Sequence, residues 1–437
     1  MLQSAFTKKT ASVVLPLIQK ASYSAVSTAT SNGIRVATLP EQSPVASLSV
    51  VVGAGSRAED SSNLGVAHHL KNFGFKNTNK RSALRITREA ELQGAFLTTS
   101  LGRESLVYSA EFLREDLPYF VELLGEVVAD TKYENYEFKD IHKTVVQESK
   151  IALANPEVAV IEALHSTAFR SGLGNSIYAS PASKVSCESL KAFVGQKFVD
   201  SNIAVVANGV EQEQVAELVS KYFSDIANGS ASATAPSKYF GGEARIEASG
   251  ETGHFALAFE GAPIFSDEFA KLQVLRHLLG GEKRAKWAVG GSALTEAASK
   301  ISGASIATFN TGYSDAGLFG IYVQGPNASV SELTKVAVDQ LKKATENISE
   351  EEFQRAVAQA KYATVSLYET RLGRAEVYGN QLLASGKSFS SAELVQQIEK
   401  ISVKDVQNVA AKVLKSKTSS AAHGNVYTLP YADSLNL

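Results

Sequence analysis

Hydrophobic positions along the chain switch between a period of two and a period near 3.6, and the order of the switches occurs twice. In the first half, Gly33-Ile-Arg-Val-Ala37 reads as a short strand and Val45-Ala-Ser-Leu-Ser-Val-Val-Val52 as a second, buried one. Leu84 to Gln93 reads as a helix stopped by Gly94, and Ala95–Thr99 and Ser105–Glu111 as paired strands about the Gly102-Arg103 turn. A helix capped by Asp116, with Pro118 in its first turn, runs to Ala129. A long helix from Asn135 to Ala154 follows, then helices over 157–170 and 189–198, a strand over 202–207 and a helix over 211–224. The second half predicts strands at Ala244–Ala248 and His254–Glu260 and a helix over 267–279 ended by Gly280-Gly281. Paired strands Ile301–Asn310 and Leu318–Gln324 come next, then a helix capped by Ser329 reaching about Glu346. Ser349-Glu-Glu-Glu352 opens a long helix to about Glu369, and helices over 391–400 and 403–415 and a strand over 418–424 close the chain. Between the halves, Ala227-Asn-Gly-Ser-Ala-Ser-Ala-Thr-Ala-Pro236 is small and polar with no apolar period, which marks a linker. The pattern predicts an α+β protein of two domains of matching topology, 25–226 and 242–437, joined by a linker at 227–241 and related by duplication.

The 437 residues include 44% hydrophobic and 20% charged positions with a net charge of −2, ordinary for a folded globular chain and no footprint for nucleic acid. The single cysteine, Cys187, excludes both an internal disulfide and a thiolate zinc cluster, and reads as a small packing residue. No run of about 18 apolar residues is present, so membrane association is expected only through partners. The first forty residues differ from the rest. They contain no acid before Glu41, and Lys8, Lys9 and Lys20 are interleaved with Ser, Thr and Ala. Residues 1–24 therefore read as a mitochondrial presequence cleaved near Tyr23 and Ser24; the rival secretory signal would need an apolar core not broken at Pro16.

The segment richest in chemistry is Gly65-Val-Ala-His-His-Leu-Lys-Asn72. On its own, His68-His69 reads as a partly buried pair beside a lysine and an asparagine. Set against the inverted zinc motif His-x-x-Glu-His, His68 holds the first ligand position, Lys71 the general-base position and Asn72 the second ligand position. A charged lysine cannot accept a proton from metal-bound water, and asparagine is a poor zinc ligand beside imidazole. His69 lies about a quarter turn around the helix from His68 and cannot replace an i, i+4 partner. His254 and His277 read as packing or surface residues, and Trp287, among Lys283, Arg284 and Lys286, as a partner anchor or an exposed loop aromatic.

Further segments carry a resemblance over nearly the whole chain after residue 25. These are Phe75-Lys-Asn-Thr78 with Lys80-Arg-Ser82, Ile86-Thr-Arg-Glu-Ala-Glu-Leu-Gln-Gly94, and Leu97-Thr-Thr-Ser-Leu-Gly-Arg-Glu104. In the second half they are Ala307 to Tyr322 and Ala421 to Tyr431. Together they resemble the mitochondrial processing peptidase family, an inverted-zinc metallopeptidase group. Within it, the second half is similar to the core subunits of respiratory complex III, and the end of the chain to the core protein 2 branch. The region Leu279 to Gly291 has charges where the non-catalytic processing α-subunit has an extended glycine run. The resemblance implies two mixed sheets flanked by helices, closed as a clam-like shell, and a third family ligand on a later helix, a position filled by Glu148 in Val145-Val-Gln-Glu-Ser149. It implies a subunit without catalytic residues, bound metal or cofactor, in which His68, Lys71, Asn72 and Glu148 are remnants of a zinc site. It further implies a place on the matrix side of the mitochondrial inner membrane, with core protein 1 and other complex III subunits, the cytochromes included, as partners. The alternative is the non-catalytic, substrate-binding half of a presequence peptidase, with a presequence peptide in the crevice. Restoring Lys71→Glu and Asn72→His is expected to recover zinc binding if the surroundings of the site are intact.

Overall fold

The computed structural model describes residues 26–230, 234–281 and 291–435. The expected presequence, its cleavage point near Tyr23 and Ser24, and the basic cluster around Trp287 lie outside the described residues. The first half consists of β1 (Ser27–Ser31), β2 (Ile34–Leu39), β3 (Val45–Val52), α1 (Val66–Phe73), α2 (Ala83–Leu92), β4 (Phe96–Leu101), β5 (Leu106–Leu113), α3 (Leu117–Ala129), α4 (Asn135–Ala154), α5 (Pro156–Phe169), α6 (Cys187–Lys197), β6 (Ile203–Asn208) and α7 (Gln212–Tyr222). The second half consists of β7 (Gly242–Glu247), β8 (Thr252–Glu260), α8 (Asp267–Leu279), α9 (Ala293–Ser299), β9 (Ser305–Gly312), β10 (Gly317–Pro326), α10 (Asn327–Glu346), α11 (Glu350–Ser366), α12 (Arg371–Ser385), α13 (Ser391–Glu399), α14 (Val403–Lys415) and β11 (Thr418–Gly424).

The sheets run β1-β2-β6-β3-β5-β4 and β7-β11-β8-β10-β9. One joint in each is parallel, β2 with β6 and β7 with β11, and the others are antiparallel. Without β1, the two orders superimpose joint for joint, which is the duplication that the repeated pattern predicts. Each sheet carries one core against helices of its own half. In the first, Val50, Leu48 and Tyr108 pack with Phe120 and Leu124 of α3; in the second, Phe255, Leu257 and Phe319 pack with Leu275, Leu333 and Val338.

The opposite face of each sheet is covered by a helix from the other half. Val160, Leu164 and Phe169 of α5 pack on Ala256, Ala258 and Ala421 of the second sheet. Ala375, Tyr378 and Leu382 of α12 pack on Ala37, Ala204 and Val206 of the first. This exchange explains why β3 and β8 read as nearly continuous apolar runs, since both of their faces are covered. Alanines recur on the side toward the exchanged helix, at Ala37 and Ala204 in the first sheet and Ala256, Ala258 and Ala421 in the second, which lets a helix sit close.

The structure departs from the expected elements at several points. The pattern did not mark β1, α9 or α12. The helix over 327–346 is not capped by Ser329: it starts at Asn327, straight after β10, and the Asn327 N–H is taken up by the Glu251 carbonyl at 2.9 Å. Asp116 stands at the N-cap of α3, but its side chain makes no capping hydrogen bond because a 3-10 turn, Arg114–Asp116, leads in. The helix opened by Ser349 ends at Ser366 rather than Glu369, while its capping box with Glu352 is present.

Candidate functional site

α1 is short, and its start is held from outside the helix. Gly65 at its N-cap has φ of +93° and no side chain to cap with. Glu59 supplies the acceptors instead, taking the Gly65 N–H at 2.9 Å and the Ala67 N–H at 2.7 Å. Burial pushes the Glu59 carboxyl up to about 7, against the lowering effect of those two N–H bonds. The opposite face of α1 looks onto α4, and there the four expected remnants come together.

A single carboxylate oxygen, Glu148 Oε2, collects them. His68 Nε2 lies at 2.8 Å, Lys71 Nζ at 3.2 Å and Asn72 Nδ2 at 3.1 Å. Asn72 also donates to the His68 carbonyl at 3.2 Å, one helical turn back. Burial alone would raise the Glu148 carboxyl, but donation from Asn72, His68 and Lys71, with the lysine charge, holds it below its ordinary value. His68 is 2% exposed; burial lowers its pKa, the Glu148 bond opposes this, and the Lys71 charge adds to it. His68 is therefore neutral at neutral pH beside an ionised carboxylate.

His69 points elsewhere. Its Nδ1–H donates to the Gly65 carbonyl at 2.7 Å and its Nε2 meets His142 Nδ1 at 3.1 Å, with Phe138 stacked on the ring. Burial lowers its pKa to about 4, with the charges of His142 and His68 acting in the same direction. His69 thus faces Gly65 and His142 and not Glu148, as its quarter-turn offset from His68 requires. His254 is buried against the Tyr322 hydroxyl at 2.7 Å, and His277 and Cys187 are buried as well.

Zinc needs lone pairs converging from three protein groups. Here an ammonium and an amide N–H converge on the one carboxylate, so the cationic partner of Glu148 is Lys71. The donor set does not fit a zinc ion, and the described residues hold no group of three or more His, Cys, Asp or Glu side chains arranged for a metal. With Glu absent at position 71, nothing at the site can take a proton from water as a base in that position. The network ties α1 to α4 as a polar staple. Sequence reasoning missed four participants: Glu59, His142, the Ser149 hydroxyl at 3.4 Å from His68 Nδ1, and the backbone N–H of Ala179, which reaches the same nitrogen at 3.2 Å. A glycine-started helix preceded by an acid was a usable signal for Glu59; a backbone donor from a loop leaves no trace in side-chain patterns.

Comparison with known proteins adds a family to this geometry. Residues 35–180 match the family described as Insulinase (Peptidase family M16), and residues 184–360 match the Peptidase M16 inactive domain. The chain is 39% identical to "Cytochrome b-c1 complex subunit 2, mitochondrial" of Neurospora crassa, covering 93% of this chain and 90% of that one. It is 31% identical to the protein of the same name in Homo sapiens, over 92% and 90%. "Mitochondrial-processing peptidase subunit alpha" of Solanum tuberosum is 30% identical over 94% and 84%. A chain in the structure titled "Complex III2 from Candida albicans, Inz-5 bound" shares the fold with a TM-score of 0.85 at 20% identity, over 94% of this chain and 99% of that one. A degenerate inverted-zinc helix, two sheets of one topology and these near-full-length matches together establish that the chain belongs to the M16 peptidase family, in the branch of the mitochondrial cytochrome b-c1 complex subunit 2 proteins.

Proposed function

We propose that this chain is a non-catalytic structural core subunit of mitochondrial respiratory complex III, supporting assembly of the complex that passes electrons from ubiquinol to cytochrome c. The observation that carries the reading is the 39% identity to a subunit 2 protein across 93% of the chain. The Glu148 network supports it, because a carboxylate already satisfied by lysine, asparagine and histidine is suited to holding two helices together and not to activating water. In this reading the chain contributes no redox centre and no metal. Its partners are the related core protein 1 and the cytochrome-bearing subunits, and it lies peripherally on the matrix side of the inner membrane. No helix among the described residues is long and apolar enough to cross a membrane. The two domains divide at the 227–241 linker, and residues 1–24 serve as a presequence.

The 30% identity to a processing peptidase α-subunit favours a second reading, in which the chain is the non-catalytic half of a presequence peptidase. Native-gel separation of detergent-solubilised mitochondrial membranes, with mass spectrometry of each band, separates the two. The structural reading expects the polypeptide to migrate with b- and c-type cytochromes. Migration as a soluble pair with an intact zinc-motif partner overturns it in favour of the second.

A further inference from the structure

The environment of the His68 ring carries an inference beyond the loss of the two motif residues. A neutral imidazole has one N–H and one accepting nitrogen. The neighbours of His68 decide which is which. The Ala179 backbone N–H is aimed at Nδ1 at 3.2 Å, and a backbone N–H can only donate. On the other side of the ring, Nε2 faces the Glu148 carboxylate oxygen at 2.8 Å, which can only accept. Both contacts demand the same tautomer, with the proton on Nε2 and the lone pair on Nδ1; the Ser149 hydroxyl, 3.4 Å from Nδ1, can turn either way and so donates to that lone pair as well.

A histidine that ligates a metal through Nε2 needs the reverse. Its lone pair sits on Nε2, and its Nδ1–H is donated to a carbonyl, a carboxylate or water. This fold provides that arrangement at two other histidines. His69 donates from Nδ1 to the Gly65 carbonyl at 2.7 Å, and His165 donates from Nδ1 to the Ile161 carbonyl at 2.8 Å. Each uses the carbonyl one turn back along its own helix. His68, the position inherited from the first zinc ligand, is the one turned against a donor.

The donor is firmly placed. Ala179 is 2% exposed, and its side chain packs against Gly65 so closely that a Cβ there would meet the Ala179 Cβ. The loop around it is tied down by Ser183 Oγ on the Leu64 carbonyl at 2.6 Å and by the Ile177 N–H on Glu162 at 3.2 Å. Asn175 adds bonds to the Ser56 and Glu59 carbonyls at 3.0 Å each.

We infer that the Ala179 N–H locks His68 in a tautomer that presents a proton, not a lone pair, to the former metal position, so that restoring Lys71→Glu and Asn72→His does not by itself rebuild a zinc centre. The inference rests on reading α1 and α4 as a degenerate zinc site. It is independent of the assembly in which the chain resides, so its failure would leave the subunit reading standing.

Two measurements on the full chain test it. Long-range proton–nitrogen NMR on histidine-labelled protein, with His68 assigned by its disappearance in His68→Gln, reads the tautomer directly. The expected result is a protonated Nε2 and an unprotonated Nδ1; a proton on Nδ1 overturns the inference. Zinc affinity is then compared between K71E/N72H and a triple variant that adds Ala179→Pro, which deletes the offending N–H. Misdirected second-layer contacts cost about 10–100-fold in metal affinity, so the double variant is expected to bind zinc weaker than the triple variant by about that factor. Equal affinities, with one zinc per chain in both, overturn the inference. If the triple variant does not fold, the NMR reading on the unaltered chain decides.

Discussion

At the level of single residues, the cluster on Glu148 is a hydrogen-bonding problem with one solution. Glu148 Oε2 satisfies the buried Nε2–H of His68, which has no other acceptor in its contacts. Glu148→Ala should therefore destabilise the chain by about 1–3 kcal/mol, the cost of stranding a buried donor. Lys71→Ala should cost less than about 1 kcal/mol, because both ends of that ion pair are about one-third exposed and solvent screens it. Chemical denaturation of both variants checks the order; a larger loss from Lys71→Ala would mean that charge, not donor satisfaction, dominates. Glu59 adds a pH dependence. Its carboxyl titrates near 4.5 when unfolded and about 7 when folded, so between those values the folded chain holds the extra proton. This contribution to stability is complete below about 4.5 and is lost as pH rises through about 7. Glu59→Gln should abolish that dependence in urea titrations run across the same range. It should also weaken the start of α1, since a single amide carbonyl replaces two accepting oxygens. His68, Lys71 and Asn72 were legible in the sequence because motif spacing places their side chains on one turn of a helix, and Glu148 only through the family resemblance, which implies a further ligand on a later helix. The Ala179 N–H and the His69–His142 pairing were not, because both depend on how a loop and a second helix approach.

Elements were legible where one face is apolar and the other polar, and less so where a helix packs through small residues. α12 shows the difference. Its buried residues are Ala375, Tyr378, Gly379, Gln381 and Leu382, of which two are small and one is polar, and Gly373 adds a second weak helix former. Gly379 is there for contact: a Cβ at that position would run into the Val51 side chain on β3. Gly379→Ala should thus destabilise by about 1–3 kcal/mol through overpacking, despite alanine's better helix propensity. Gly195, exposed on α6 with nothing near its missing Cβ, provides the matched control. Gly195→Ala should stabilise by about 0.5–1 kcal/mol. Opposite signs in thermal melts of the two variants are the expected outcome; stabilisation by both would show that α12 does not sit tightly on β3. β1 escaped notice for a related reason, since Ser27-Thr-Ala-Thr-Ser31 is a polar edge strand held by its backbone ladder with β2.

For the whole molecule, the repeated order of elements made the duplication visible, and the polar stretch after residue 226 made the halves look separable. The packing says otherwise. Each half completes the other's second core by lending it one helix, and polar contacts fasten the seam on two sides. Arg57, in the first half, donates to Glu104 at 2.5 Å and to Asp315 of the second half at 2.6 Å, while Ser314 returns a bond to Glu104 at 2.5 Å. Glu41 meets Arg371 and Arg374 at 3.3 Å each, and Arg35 reaches the Leu382 carbonyl at 2.9 Å. A chain ended at residue 230 would expose the sheet face under α12 and leave α5 with its apolar side, including Leu164 and Phe169, in water. Neither half should then fold alone, and the full chain should melt in one cooperative calorimetric transition. Arg57→Ala removes the shared cation from two carboxylates that are each about one-third exposed or less, and should lower that transition by an amount equivalent to about 1–3 kcal/mol without splitting it. Two resolved transitions in the unaltered chain would show that the exchanged helices dock too weakly to couple the halves. A single one fits a subunit whose work is to present one rigid surface to partners, because a body that opened at its linker would lose half of that surface each time it did.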